Sequence, residues 1–411
     1  MADMVFSGVT FSGGYSIALP PTAPGAPTIG VATATGETTA TVTFTAPASN
    51  GGATITSYTA TSSPAGGTGT LNQSGSGTIT VTGLTGITSY TFTVTATNSV
   101  GTSSPSASSN SITTSDPDLN PTKAIFGYGF QTNVGALSTT NLVSNTGVVA
   151  TDTAGVGTAR TDLAAAGYGT DKAIFGYGND TSITNKVSNT GVVANDTTGV
   201  GTVRSSLAAA GYGTDKAIFG YGSAGGLVTA ITNLVSNTGV VANNGSSVGT
   251  ARGSLAAAGY GTDKAIFGYG YAFDGINPPY SLTNKVSNTG VVANDTTGVG
   301  TARFALAAAG YGTDKAIFGY GTTLAGRVNT TNLVSNTGVV ASNTTGIGTE
   351  RTGLAASTYG KNKAIFGYGQ NASGASLSMT NLVSNTGVVA TDTSGVGTAR
   401  YGLAAAGYSL S

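Results

Sequence analysis

The residues able to do chemistry in this chain are few, and most of them come in copies. An arginine recurs at Arg160, Arg204, Arg252, Arg303, Arg351 and Arg400, and a lysine at Lys123, Lys172, Lys216, Lys264, Lys315 and Lys363. Six guanidinium groups in equivalent places could form a cationic ring and hold an anion. The simpler reading is that each satisfies loop carbonyls, since identical copies imply one shared structural job. The lysines read as solvated strand-edge residues. Aspartates recur at Asp171, Asp215, Asp263 and Asp314, with Thr122 and Asn362 in the other two copies. Tolerance of asparagine there points to turn capping, because acid–base work needs a group that ionises. A second set, Asp152, Asp196, Asp295 and Asp392, lies in Asp-Thr-x-Gly connections and gives way to Asn244 and Asn343.

What is missing narrows the chemistry further. The chain has no histidine and no cysteine. The commonest general base, the commonest metal ligand and every thiolate are therefore absent. No Asp-x-Asp-x-Asp-Gly calcium loop and no Gly-rich phosphate loop of the required spacing occurs. Paired carboxylates could still cleave a glycoside, but no acidic pair stands apart from the repeats. The expectation is a non-enzymatic protein without cofactor or metal. Lys+Arg and Asp+Glu balance at 16 each, without a basic run, so nucleic acid is not an expected partner. Charged residues make up only 8%, against roughly 25% in ordinary soluble proteins. The start, Met1 to Val9, lacks a secretory pattern and no apolar run reaches membrane-span length.

The informative residues lie where the copies differ. After each Gly-Tyr-Gly comes a loop of changing length: Phe130–Thr140, Asn179–Thr184, Ser223–Thr232, Tyr271–Thr283, Thr322–Thr331 and Gln370–Thr380. Phe130, Tyr271, Phe273, Asp274, Tyr280 and Arg327 are large or charged exceptions in a small-residue protein. Aromatic and arginine side chains are typical anchors for partners and sugars. Drift in exposed loops would produce variation too. The scarcity of aromatics elsewhere on the surface favours a ligand-binding face.

The elements that must position these loops are repeats. Lys-Ala-Ile-Phe-Gly-Tyr-Gly begins six times, at intervals of about 44–51 residues, a spacing that suits a four-stranded propeller blade. Read from Leu163, one unit predicts strands Leu163–Tyr168, Lys172–Gly178, Asn185–Asn189 and Val192–Asn195, joined by glycine- and asparagine-containing turns. The nearly side-chain-free Leu-Ala-Ala-Ala-Gly-Tyr strand suits a place where six strands converge on an axis. Leucine and Lys186 or Lys285 interchange on the third strand, which places that position toward solvent and the adjacent Val143 and Val187 inward. The chain reaches Lys123 with no preceding inner strand and finishes on one, Leu403–Tyr408. Pairing that strand with Lys123–Gly129 closes a six-membered ring.

Residues 21–115 read differently. Alternating runs at Thr41–Thr45, Ile55–Thr59, Thr78–Val81 and Tyr90–Ala96 predict a small antiparallel sandwich. Residues 116–122 form a linker, and residues 1–20 an N-terminal docking arm or added strand.

Residues 21–115 resemble a fibronectin type III domain, through the Pro-rich opening, Phe44, Tyr58, Gly83-Leu84 and Tyr90-x-Phe92-x-Val94-x-Ala96-x-Asn98. The resemblance implies that Tyr90 is a tyrosine-corner residue. Residues 123–411 resemble kelch-type repeats, with the arginine before the first strand and a glycine pair split by tyrosine after the second. The kelch Trp and third-strand Tyr are absent. The fold class expected is therefore all-β: a fibronectin type III-like β-sandwich followed by a six-bladed kelch-like β-propeller, residues 123–411. The whole arrangement resembles virion proteins of marine bacteriophages, especially cyanophages. That resemblance implies a fibre or appendage, assembled in the host cytoplasm and located in the virion. It would dock to other virion proteins through its N-terminal region and recognise a host surface glycan or protein through the loop face, with a homo-oligomer allowed. A bacterial surface adhesin or lectin, or a capsid decoration protein, are the alternatives.

Overall fold

In the computed structural model, the structure describes residues 20–35, 38–86, 88–114, 121–275 and 277–409. The expected docking arm, residues 1–20, lies outside these except for Pro20, and so do residues 116–120 of the expected linker. Among the described residues the structure is all-β without helices, and the chain divides into two compact units, Met1–Pro117 and Asp118–Ser411.

Among its described residues the N-terminal unit has seven strands, because apolar residues alternate along each run and one side of each can face a common core. Thr28–Ala34, Thr39–Thr45 and Gly77–Thr82 pair in sequence, as do Thr68–Leu71, Ile55–Ser63, Ser89–Asn98 and Ile112–Thr113. A single pair, Thr68 with Thr82, joins the two groups. Phe44 and Tyr58 meet in the core with ring centroids 4.2 Å apart. The buried Tyr90 hydroxyl accepts a hydrogen bond from the Thr85 N–H at 3.0 Å. The strands at Thr28, Thr68 and Ile112 go beyond the four runs read from sequence.

The C-terminal unit contains six antiparallel sheets of three strands each. The second sheet is typical: inner strand Ala164–Tyr168, middle strand Lys172–Gly176, outer strand Thr184–Val187. The third to sixth sheets repeat it with inner strands Ala208–Tyr212, Ala256–Tyr260, Ala307–Tyr311 and Ala355–Tyr359. The first sheet is built from both ends of the unit. Ala404–Tyr408 pairs with Lys123–Gly127 in the register Ala404 to Gly127 and Tyr408 to Lys123, and Thr140–Val143 lies on the other side.

Four strands per unit were expected, and the fourth is reduced to one bridge. Val187 pairs with Val193, and equivalent single bridges recur, for example Val143 with Val149. The reason is local. The Asn185 amide donates to the Ala194 carbonyl at 3.0 Å, so a side chain takes a place that a ladder bond would fill. The linker is also shorter than expected. Thr122 is buried and its N–H donates to the Ser409 carbonyl at 2.8 Å, so it belongs to the first sheet.

Contacts between sheets explain the repeated small residues. Each inner strand neighbours the next, and the strand at Ala404 also neighbours the one at Ala164. A Cβ on Gly167 would stand 3.2 Å from the Gly407 carbonyl oxygen, so the convergence leaves little room for side chains. A Cβ on Gly127 would stand 2.7 Å from Phe175 Cζ, and one on Gly367 the same distance from Phe126. The glycine of each middle strand thus makes space for the phenylalanine of a neighbouring sheet.

Two sets of backbone hydrogen bonds run through all six sheets. At the hairpin end, Ser409, Gly169, Gly213, Gly261, Gly312 and Gly360 donate to the carbonyls of Asp171, Asp215, Asp263, Asp314, Asn362 and Thr122. Each bond passes to the next sheet and the last returns to the first. At the loop end a second cycle runs through Asp162, Ser206, Ser254, Ala305, Gly353 and Gly402, with bonds of 2.7–2.9 Å. All six of those residues have φ between 49° and 61°.

Candidate functional site

The six variable loops leave the sheets at one end, held by a motif that the repeats share. Each begins after a tyrosine (Tyr128, Tyr177, Tyr221, Tyr269, Tyr320 or Tyr368) that is fully buried with φ of 62–66°. Such a conformation is rare for a bulky residue. Here it swings the ring toward the neighbouring sheet. Tyr128 packs on Phe175, Tyr177 on Phe219, and so on until Tyr368 packs on Phe126, with centroids about 5 Å apart. The Tyr128 hydroxyl donates to the Val156 carbonyl at 3.1 Å. Burial pushes that hydroxyl up to about 12, with Arg160 opposing.

The six arginines lie beneath the loops and are completely buried. Arg252 shows the arrangement. Its guanidinium stands over the Tyr221 ring at 4.5 Å and donates to the Tyr269 carbonyl, the Thr250 carbonyl and Asn284 Oδ1 at 2.6–2.8 Å. The groups are consumed in joining one sheet to the next, so they form no solvent-facing cationic ring. Arg160, Arg204 and Arg351 keep an unpartnered Nε.

The connecting carboxylates hold backbone. Asp196 accepts from the Thr158 N–H and hydroxyl and from the Asn185 amide. Burial raises its carboxyl, but these bonds outweigh burial and keep it below the ordinary range. Asn244 does the same work for Thr202 through its carbonyl and amide. The hairpin aspartates also do more than cap turns. Asp171, Asp215, Asp263 and Asp314 pair with the adjacent Lys172, Lys216, Lys264 and Lys315 at 2.6–2.9 Å. These lysines remain about 44% exposed. Lys186 reaches past its own sheet to the Thr238 carbonyl at 3.0 Å, while Val143 and Val187 are buried.

Above this frame the variable loops are tied to the connections that enter the inner strands. Phe130 bridges Tyr401, Ser223 bridges Ser205, Tyr271 bridges Gly253, Thr322 bridges Phe304 and Gln370 bridges Thr352. Side chains then join one loop region to another. Arg327 donates to the Asn371 carbonyl and to Gln370 Oε1, and the Thr132 and Ser376 hydroxyls lie 2.9 Å apart. Ser205 donates to Asp180 at 2.9 Å. Residues 25–112 match the family profile of the fibronectin type III domain. No curated protein matches the chain. The fibronectin type III domain accounts for the N-terminal unit and leaves the loop end to be read from its own geometry.

Of the residues singled out from sequence, Tyr271 and Phe273 come together, with centroids 5.6 Å apart. Phe273 is 38% exposed and Tyr271 is half-buried. Tyr280 lies half-buried in the same loop, its N–H donating to the Gly270 carbonyl at 2.8 Å. Asp274 is exposed and accepts from the N–H and amide of Asn277, which orders the loop tip. Phe130 lies apart, against Tyr401 at 5.5 Å. Arg327 ties two loops together.

Two residues were missed. Phe304 stacks on Tyr271 at 5.3 Å and Tyr401 covers Phe130. Both follow the repeated arginine, where other copies have Thr161, Ser205, Gly253 and Thr352. The variability of that position was the available signal.

Proposed function

We propose that the C-terminal unit is a six-bladed, kelch-like β-propeller and that the protein is a non-enzymatic component of a bacteriophage particle, a fibre or appendage. Its loop face recognises the host surface, and its N-terminal region docks it to other virion proteins. The observation that carries this reading is the polarity of the C-terminal unit. Pro121 and Ser409 lie at the hairpin end, whereas the loops that differ gather at the opposite end. A module tethered by one end and varied at the other is suited to display.

Two further points support the reading. The first, fifth and sixth loops are laced to one another, which lowers the ordering cost of binding there. The aromatic group of Tyr271, Phe273 and Phe304 offers the kind of side chains that anchor partners. The connecting carboxylates are committed to threonine N–H groups and hydroxyls, which favours a role other than acid–base chemistry.

The test is adhesion. Fluorescently labelled protein should bind cells of a phage host, and Tyr271→Ala with Phe273→Ala should weaken binding about tenfold or more, as hot-spot residues do. Antibody against the C-terminal unit should decorate purified particles. Absence from particles would refute the virion role, and full binding by the double variant would refute the loop face.

A further inference from the structure

The loop end carries polar groups that the frame does not consume. The backbone cycle at the start of the inner strands runs in the order Asp162, Ser206, Ser254, Ala305, Gly353 and Gly402. The arginine, tyrosine and phenylalanine recur in every unit, but these positions differ from copy to copy. Asp162 is exposed, and Ser206 and Ser254 are half-buried. Among the described residues, the Asp162 carboxylate and the hydroxyls of Ser206 and Ser254 have no hydrogen-bond or ion-pair partner. By contrast, Asp196 holds Thr158, Asp180 accepts from Ser205 and Asp274 accepts from Asn277. Glycine at 402 leaves room for the free carboxylate, since a Cβ there would stand 3.1 Å from Asp162 Oδ1. The carboxyl is open to solvent yet ringed by protein, and that desolvation pushes it up to about 6. At neutral pH it is therefore an ionised acceptor without a partner.

The remaining half of the cycle is bordered by aromatic residues. Thr161, Ser205 and Gly253 precede the three polar members, whereas Phe304, Thr352 and Tyr401 precede Ala305, Gly353 and Gly402. A Cβ on Gly253 would stand 2.4 Å from Phe273 Cε2, so the Phe273 ring lies against the residue before Ser254. Tyr271 then joins Phe273 to Phe304. Tyr401 stands beside Gly353, where a Cβ would be 3.5 Å from Tyr401 Cβ. A crescent of one carboxylate and two hydroxyls thus adjoins an arc of aromatic rings around one axis. A pyranose has matching sides. Its hydroxyl groups donate to a carboxylate and exchange hydrogen bonds with serines, and its C–H face packs on aromatic rings. A simple ammonium would engage the carboxylate and the rings but give the serine hydroxyls no acceptor.

We propose that the loop-end axis is a carbohydrate site, in which Asp162, Ser206 and Ser254 take the hydroxyl edge of a pyranose and Phe273 and Phe304 its C–H face. The inference rests on the loop-face reading and names its ligand class. Saturation-transfer NMR of the full chain with D-glucose, D-galactose, D-mannose and N-acetyl-D-glucosamine tests it. At least one of these sugars should receive saturation, strongest at its ring C–H protons. Asp162→Ala should weaken its affinity about tenfold, the scale of a hydrogen bond to a charged group. Ser206→Ala with Ser254→Ala should weaken it about fivefold, the scale of two neutral hydrogen bonds. Ala305 already holds the equivalent place at φ 50°, so these variants should fold with the wild-type Tm. Saturation of none of the sugars would overturn the site, and so would unchanged affinity in Asp162→Ala. Saturation of tetramethylammonium in place of the sugars would overturn it in favour of a cation cage. Binding of labelled protein to host cells separates this inference from the loop-face reading. Adhesion kept by Asp162→Ala but lost by Tyr271→Ala with Phe273→Ala would overturn the axial site and leave the loop face standing.

Discussion

Replacing Arg252 by alanine tests whether the repeated arginines are structural. The side chain is fully buried, stands over Tyr221 and donates to Tyr269, Thr250 and Asn284. Its removal leaves the Asn284 oxygen and the Tyr269 carbonyl facing a void. Each stranded polar group costs about 1–3 kcal/mol, and a desolvated cation–π contact adds up to about 2 kcal/mol. The relief of no longer burying a charge offsets part of this. Breaking a buried charged network typically costs about 3–5 kcal/mol net, and 4 is a fair centre. With an unfolding entropy of about 2.1 cal/mol/K per residue over roughly 290 residues, that corresponds to a Tm lower by about 7 °C. Scanning calorimetry on wild type and Arg252→Ala reads it directly, and the transition of the fibronectin type III domain serves as an internal control. A shift below about 1 °C would refute the reasoning and restore the arginines as candidates for anion binding.

Two further outcomes follow from the same contacts. Deleting residues 403–411 removes the inner strand of the first sheet, and the hairpin-end hydrogen-bond cycle loses Ser409. The product should aggregate on size-exclusion chromatography and regain a monodisperse form when a peptide spanning 401–411 is added. A monodisperse deletion with unchanged Tm would rule out the closure. Asp152, Asp196, Asp295 and Asp392 are held below the ordinary carboxylate range: burial raises each, and hydrogen bonds from threonine and asparagine outweigh it. A depressed folded value contributes stability above the unfolded value, near 3.8, that is lost as pH falls through the folded value. Urea midpoints should therefore drop below about pH 4. Changing all four to asparagine should flatten that drop, since Asn244 and Asn343 already make the equivalent bonds; an unchanged drop would locate the acid sensitivity elsewhere.

Much of this architecture was legible because turns and apolar alternation are written locally. The pairing of the strand at Leu403–Tyr408 with the one at Lys123–Gly129 follows from counting strand types at the two ends, while its register is read from the structure. The depth of the arginines was not legible in the same way. A lone charged residue before a strand reads as surface, and its burial depends on three partners from other segments: the Asn of an outer strand, the carbonyl after a middle strand and a tyrosine of the adjacent sheet. The joint recurrence of Arg, Asn and Gly-Tyr-Gly was the only trace of that network. The fourth strand failed for an opposite reason. Its valines suit a strand, but Val192 is 66% exposed and Val193 alone enters the sheet, because Asn185 holds the Ala194 carbonyl instead of a ladder partner.

The distribution of constraint is the physical ground on which the proposed recognition role is assigned to the loops. Nearly every side chain repeated in all six units completes its neighbour: the phenylalanine fills the space above a glycine in the adjacent sheet, the tyrosine packs on the next phenylalanine, and the arginine bonds two sheets. A change at any of these positions therefore disturbs two sheets at once. The loops escape that coupling. They are attached through backbone bridges, such as Phe304 to Thr322, that accept many side chains. Substitution there changes what the loop end presents without touching the contacts that close the cycle of sheets. A chain whose frame tolerates so little can vary its surface chemistry only where the frame ends, which is why Tyr271, Phe273 and Phe304 carry the functional argument.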